Sequence, residues 1–331
     1  MEKKITVVGG GSWGTALAHF LGGQGFAVRL WVREPEIAEA IAATAENPVY
    51  MPGCKLSANI TAGTDLPAAI QDAGVVLMVP PCQVWRGVLR EMRPHLQPGA
   101  TIVSASKGVE VEGLKRMEEV ALEELSGFDF NYAALSGPSF AKEVMAGKPT
   151  AAVLACRDIA LADRLRDLFS GETFRFYSSS DVTGVELGGA VKNVIAIAAG
   201  LSDGLGFGLN AKAALITRGL VEITRLGLAL GAQAATFTGL SGVGDLILTA
   251  TGDLSRNRQV GLRAAELGAE GALQGMTQVA EGVRTAEAVH LLSRKLGVDM
   301  PICAAIYRVF YQSRPPREEV AGLMTRELKG E

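Results

Sequence analysis

The chain has 331 residues, 48% of them hydrophobic, enough for roughly two domains with substantial cores. A net charge of −3 and a pI of about 5.8 exclude a surface built on nucleic-acid phosphates, which needs a clustered positive field. Cys54, Cys82, Cys156 and Cys303 lie far apart, and His19, His95 and His290 show no ligand spacing, so no Cys- or His-built metal site is expected.

Scattered cysteines suit a reducing cytoplasm. Glu2 and Lys3-Lys4 precede the first apolar run without a signal-type core, so no leader is expected. The longest charge-free stretch, 226–244, is broken by Gly, Gln, Thr and Ser and reads as no membrane span.

Ile5-Thr6-Val7-Val8 reads as a strand. It runs into Gly9-Gly10-Gly11-Ser12-Trp13-Gly14 and then the helical Thr15-Ala16-Leu17-Ala18. Gly9, Gly11 and Gly14 stand in the G-x-G-x-x-G frame: one for a tight turn, one for close approach of a pyrophosphate, one for packing helix on strand. The helix N-terminus adds unpaired N–H groups and a partial positive charge. A dinucleotide site is the expectation.

Further strands are read at Val28-Arg29-Leu30-Trp31-Val32, Val75-Val76-Leu77-Met78-Val79 and Thr101-Ile102-Val103-Ser104-Ala105. Tyr132-Ala133-Ala134-Leu135, Ala151-Ala152-Val153-Leu154-Ala155 and Phe174-Arg175-Phe176-Tyr177 complete the set. Near-continuous apolar strands between helical patterns predict an α/β fold: a Rossmann-type, mostly parallel sheet with helices on both faces. Beyond about residue 180 the period is helical, beginning at Asp181, and 210–230 is apolar enough to predict burial nearly all round. The expected division is a dinucleotide-binding domain over 1–180 and an all-α substrate and catalytic domain over 181–331.

The second strand ends at Trp31-Val32-Arg33-Glu34, which puts Arg33 where dinucleotide folds choose their cofactor. An arginine there pairs with a 2′-phosphate or stacks on adenine, so NADPH is expected to be accepted, with NADH as the other nucleotide. The alternative is a solvated arginine at a strand end.

Hydride transfer to a carbonyl needs a proton donor near the nascent alkoxide. None of Tyr50, Tyr132, Tyr177, Tyr307 or Tyr311 has a lysine four residues on, and the three histidines read as structural or surface groups. Lys192 stands in Glu186-Leu187-Gly188-Gly189-Ala190-Val191-Lys192-Asn193. Two interior glycines cost a helix roughly 1 kcal/mol each, so something must approach closely beside Lys192. A lysine crowded into an apolar site would have its pKa lowered toward neutrality; the alternative is a lysine snorkelling from a tightly packed helix. Lys107 directly follows a strand in Ser104-Ala105-Ser106-Lys107-Gly108, which points to one crevice with Pro80 and Gly137-Pro138-Ser139. Asp245 follows a glycine-rich run and can orient a lysine. Ser255-Arg256-Asn257 reads either as a phosphate site at a helix start or as an ordinary serine cap.

Together these segments resemble the bacterial-type NAD(P)-dependent glycerol-3-phosphate dehydrogenases, nearly end to end. The likeness adds Leu135-Ser136-Gly137-Pro138-Ser139-Phe140-Ala141, Leu215-Ile216-Thr217-Arg218-Gly219, Gly244-Asp245-Leu246, Ser255-Arg256-Asn257-Arg258 and Glu281-Gly282 to the motifs above. Two departures stand out: Ala250 occupies the place of a frequent family cysteine, and Tyr50-Met51-Pro52-Gly53 replaces Tyr-Leu-Pro-Gly. The resemblance implies reversible reduction of dihydroxyacetone phosphate to sn-glycerol 3-phosphate, feeding phospholipid synthesis. It implies Lys192 as the catalytic proton carrier and Lys107, Gly137, Ser139, Asp245, Ser255, Arg256 and Asn257 as substrate contacts. It implies Ser12, Trp13, Arg33, Lys107, Ala141, Arg256, Val279 and Glu281 as cofactor contacts. A homodimer is expected from the apolar helical half. The rival readings are a β-hydroxyacid dehydrogenase and a non-catalytic NADP sensor; fold alone separates none of the three.

Overall fold

Ile5–Val8 (β1) is wholly buried, as are Val75–Met78 (β6) and Ala100–Ser104 (β7). Strands buried on both faces need helices above and below, and the chain supplies them by alternation. The structure, a computed structural model, describes residues 4–274 and 280–324. It divides into two compact units, one of 1–106 with 117–182, the other of 107–116 with 183–331.

In the first unit, β1 is followed by Ser12–Gly23 (α1), Val28–Trp31 (β2), Pro35–Thr44 (α2), Glu46–Asn47 (β3), Met51–Lys55 (β4), Ile60–Gly63 (β5) and Leu66–Ile70 (α3). After β6 come Cys82–Met92 (α4), β7, Met117–Glu124 (α5), Phe130–Ser136 (β8), Ala141–Met145 (α6), Thr150–Ala155 (β9), Ile159–Phe169 (α7) and Phe174–Ser179 (β10). The main sheet has eight strands in the order β10-β9-β8-β7-β6-β1-β2-β5. Its pairs are parallel except β8 with β9, while β3 and β4 form a separate antiparallel pair. From β1 the chain builds outward through β2 and β5, then crosses back to β6 on the other side. That reversal between β1 and β6 is where open α/β sheets form a crevice.

Val7, Leu77, Val103 and Leu135 share one apolar cluster with α1, α6 and α7, while the alternate residues Val76 and Ile102 point to the opposite face. Phe174 of β10 stacks on Phe176 at 4.2 Å and meets Phe20 of α1 at 5.2 Å. These aromatics fix the helix that follows the glycine turn.

Beyond the irregular residues 107–116, the described elements of the second unit are helices: Val182–Gly204 (α8), Gly208–Ala229 (α9), Ala234–Phe237 (α10), Asp245–Thr251 (α11), Arg256–Leu273 (α12), Glu281–Leu296 (α13), Pro301–Tyr311 (α14) and Pro316–Met324 (α15). A π-helical turn, Leu240–Gly244, leads into α11. α8 is the one described helix long and apolar enough to cross a membrane, and its apolar window is wholly buried inside the protein.

The expected near-complete burial of 210–230 is corrected. α9 buries one stripe, including Leu215, Gly219, Ile223 and Leu226, and leaves Leu209, Val221 and Leu228 exposed. Residues spaced by four and three make a single face, and Lys212, Arg218 and Arg225 occupy the rest. The residues 107–116, inside the sequence-based range 1–180, pack with the helical unit.

Candidate active site

The glycine turn leaves β1 at the sheet's point of reversal. Gly9 has φ 115°, a conformation that side chains resist, and its N–H donates to Trp31 O at 3.0 Å. A Cβ on Gly14 would lie 1.9 Å from Gly9 O, so helix and turn touch backbone to backbone. Around Gly11 there is open space, and α1 begins without a side-chain cap. An open cradle beside uncapped N–H groups fits a pyrophosphate. Trp13 Nε1 is buried and meets no acceptor among the described residues, and Ser12 Oγ donates to Tyr50 O at 3.1 Å.

Asn47 escaped the sequence reading. It is fully buried, and its amide nitrogen donates to Gly10 O at 2.8 Å and Thr15 Oγ1 at 2.9 Å. It therefore braces the turn from a strand of two residues.

Arg33 lies just past β2 with its side chain 78% exposed, paired with Glu34 at 3.0 Å. Gly137 and Ser139 follow β8, and Ala141 opens α6. Gly137 has φ 147°, and a Cβ there would lie 2.8 Å from Ala152 Cα on β9. The Ser139 hydroxyl donates to Gly137 O at 2.9 Å.

In the helical unit Lys192 Nζ donates to Asp245 Oδ1 at 2.5 Å and to Thr249 Oγ1 at 2.7 Å. Lys107 Nζ donates to the other carboxylate oxygen, Asp245 Oδ2, at 2.7 Å. Lys192, Asp245 and Thr249 are all buried. Burial pulls the Lys192 ammonium down to about 7; Asp245 opposes that shift and Lys107 reinforces it. Burial alone would raise Asp245, but the two ammoniums hold it below its ordinary value.

The close approach expected beside Lys192 comes from the π turn: a Cβ on Gly188 would lie 2.4 Å from Ser241 O. That contact sets α8 against the turn that delivers Asp245. Thr249 was not singled out from the sequence, although its place four residues after Asp245 puts both on one face of α11.

Ser255 caps α12, accepting from Arg258 N at 3.2 Å, with Arg256 exposed as the first helical residue. Asn257 Oδ1 accepts from Gly282 N at 3.0 Å at the start of α13, beside Glu281. A Cβ on Gly282 would lie 2.7 Å from Asn193 O, so Asn257 and the residue after Lys192 meet at this glycine. Arg258 is held by Asp203 at 2.8 Å and Asp253 at 2.8 Å. Val279 lies outside the described residues.

His19 Nδ1 accepts from Ser57 N at 3.1 Å, His290 stacks on Tyr307 at 4.0 Å, and His95 sits in an exposed turn. Among the described residues no cluster of His, Cys, Asp and Glu could hold a metal ion.

Residues 4–162 match the N-terminal part, and 181–321 the C-terminal part, of NAD-dependent glycerol-3-phosphate dehydrogenase. The glycerol-3-phosphate dehydrogenase [NAD(P)+] of Nitratidesulfovibrio vulgaris strain DP4 is 59% identical, covering 99% of this chain and 100% of the relative. That of Geobacter sp. strain M21 is 52% identical over 100% and 99%. The crystal structure of a Coxiella burnetii glycerol-3-phosphate dehydrogenase superimposes with a TM-score of 0.94 at 38% identity, covering 98% and 99%. A ketopantoate reductase of Ralstonia eutropha, 16% identical with a TM-score of 0.56, shares the fold alone. The glycine turn, the lysine pair on Asp245 and these full-length likenesses agree: the chain belongs to the NAD-dependent glycerol-3-phosphate dehydrogenase family.

Proposed function

We propose that the chain reduces dihydroxyacetone phosphate to sn-glycerol 3-phosphate, reversibly, with NADPH or NADH, and so feeds phospholipid synthesis. The observation that carries the chemistry is Lys192, a buried ammonium with its pKa brought down to about 7 and its head fixed by Asp245 and Thr249. When bound, the nicotinamide supplies or accepts the hydride. Lys192 gives its proton to the substrate oxygen as the carbonyl becomes an alcohol, and is left neutral; in oxidation the neutral amine takes that proton back. Asp245 aims Lys192, and Lys107 on the opposite oxygen keeps the carboxylate charged.

Lys107, Gly137 and Ser139 are proposed substrate contacts. The phosphate is assigned to Ser255, Arg256 and Asn257, where a helix start, an arginine and an amide donor coincide. Asn257 Oδ1 is engaged by Gly282, which leaves Nδ2 as the donor for a phosphate oxygen. Gly9, Gly11, Ser12, Trp13 and Gly14 would hold the pyrophosphate end of the nucleotide, with Arg33 toward its 2′ position. Ala141, Arg256 and Glu281 are proposed as further contacts. The cytoplasm is the proposed compartment, supported by four cysteines of which none forms a disulfide. A homodimer belongs to the same proposal, supported by the exposed apolar residues of α9, and sedimentation velocity tests it.

The deciding experiment follows reduced-nicotinamide absorbance with dihydroxyacetone phosphate, using NADPH and NADH separately. Rapid oxidation supports the reading. Intact nucleotide binding without oxidation overturns the substrate and turns attention to hydroxyacids.

A further inference from the structure

Lys107 reaches Asp245 from a strap, the residues 107–116, that packs with the helical unit. A lysine side chain is long and flexible, so its head stays on one carboxylate oxygen only if its backbone is fixed. The strap is fixed at three points along α8. At its near end, Asn193 Nδ2 donates to Lys107 O at 3.2 Å. In its middle, buried Val109 packs on Ala190 of α8 and Ala288 of α13. At its far end, Arg116 Nη1 pairs with Glu186 Oε2 at 2.8 Å, with both side chains more than nine-tenths buried. Glu186, Ala190 and Asn193 are spaced by four and three, so they form one stripe of about 10 Å along the helix.

Between the outer anchors the strap closes on itself, with Glu110 N donating to Lys115 O at 2.9 Å. Leu114 takes a left-handed φ of 53° and packs against the main helical core. A closed loop transmits the position of one end to the other. Removing the Arg116 guanidinium takes away the ion pair that ties the far end of the strap to α8.

We propose that the Arg116–Glu186 ion pair is a positioning device for Lys107: it locks the far end of the strap on α8 so that the near end delivers the Lys107 ammonium to Asp245. Arg116 and Glu186 are positioning residues. The inference rests on the proposed roles of Lys107 and Lys192.

The test compares Arg116→Gln, the charge-reversed pair Arg116→Glu with Glu186→Arg, and Lys107→Met. The readouts are KM and kcat for dihydroxyacetone phosphate, the pH limb assigned to Lys192, and Tm. The groups facing Lys192 are Asp245 on α11 and Lys107 on the strap, and Lys107 is the one that depresses its pKa. A loosened Lys107 therefore moves the limb to higher pH. For Arg116→Gln the expected result is a KM raised about tenfold, a smaller change in kcat and an alkaline shift of the limb. Lys107→Met shows the same pattern more strongly, and the charge-reversed pair recovers it. A fall in Tm with KM and the limb unchanged makes the pair merely structural and overturns the inference, provided Lys107→Met alters both. Lys107→Met without effect on either overturns the role given to Lys107, and the inference with it.

Discussion

Lys192 Nζ lies 2.5 Å from Asp245 Oδ1, on a carboxylate whose other oxygen takes Lys107 at 2.7 Å. One negative charge thus faces two ammoniums; burial brings Lys192 down to a pKa of about 7, against the pull of Asp245 and with the push of Lys107. In the proposed mechanism Lys192 carries, below that pH, the proton that reduction needs, and above it is the neutral base that oxidation needs. Oxidation of glycerol 3-phosphate is expected to rise through about pH 7, and reduction to fall through it. Lys192→Ala should lose about 10²–10⁴ in turnover. Nucleotide binding, read by fluorescence, should persist; near-normal turnover would remove Lys192 from the mechanism.

Asp245→Asn removes the attraction that supports the charged form of Lys192 and leaves the repulsion from Lys107. The Lys192 limb should then move to lower pH by about 1 unit or more. The pH dependence of kcat in the reduction direction reads this directly, and a limb that stays in place contradicts the electrostatic account.

Arg33 is exposed and engages Glu34 next to it, so it can turn to a 2′-phosphate at small cost. A charge-assisted contact of this kind is worth roughly 10-fold or more in preference. Arg33→Ala should lower the ratio of kcat/KM for NADPH over NADH by that factor. An unchanged ratio would assign the 2′ position elsewhere.

Gly188 carries backbone on backbone. A methyl group there meets Ser241 O, which cannot rotate away, so Gly188→Ala should cost about 1–3 kcal/mol. The turn it displaces leads directly into Asp245, so kcat should fall together with Tm. A loss of Tm with kcat intact would separate that turn from the site.

Glu222 is buried on α9 and accepts the N–H groups of Ile302 at 2.7 Å and Cys303 at 3.1 Å, closing the start of α14. Burial pushes its carboxyl up to about 7 from the ordinary 4.5, so the folded protein favours the protonated form. That contribution is complete below pH 4.5 and is lost as the pH rises through 7, amounting to roughly 3 kcal/mol. Glu222→Gln should flatten the fall in Tm between pH 5 and pH 8, measured by calorimetry.

The buried strands were legible because each is a continuous apolar run bounded by turn residues. β5 was not: Ile60–Gly63 is an edge strand with one neighbour and only partial burial, and so carries no such run. β4 holds Pro52 and Gly53, residue types that disfavour a strand. Lys192 was legible through the cost of Gly188 and Gly189, a local signal. Asn47 was not, because its partners Gly10 and Thr15 lie more than thirty residues away and nothing near Asn47 records them. The burial of α9 was overread because hydrophobic content says how much can be covered, while Lys212, Arg218 and Arg225 mark the side that is not, Glu222 being the buried exception.

The excursion of residues 107–116 also bears on modularity. The helical half is assembled from two separate stretches of gene, so no single cut yields it whole. A fragment starting at residue 183 would contain Lys192, Asp245 and Thr249 but neither Lys107 nor Arg116. Its carboxylate would face a single ammonium, and Glu186 would be left without the guanidinium that neutralises it. Exchange of this half by simple fusion at residue 183 would therefore leave Lys107 and Arg116 behind.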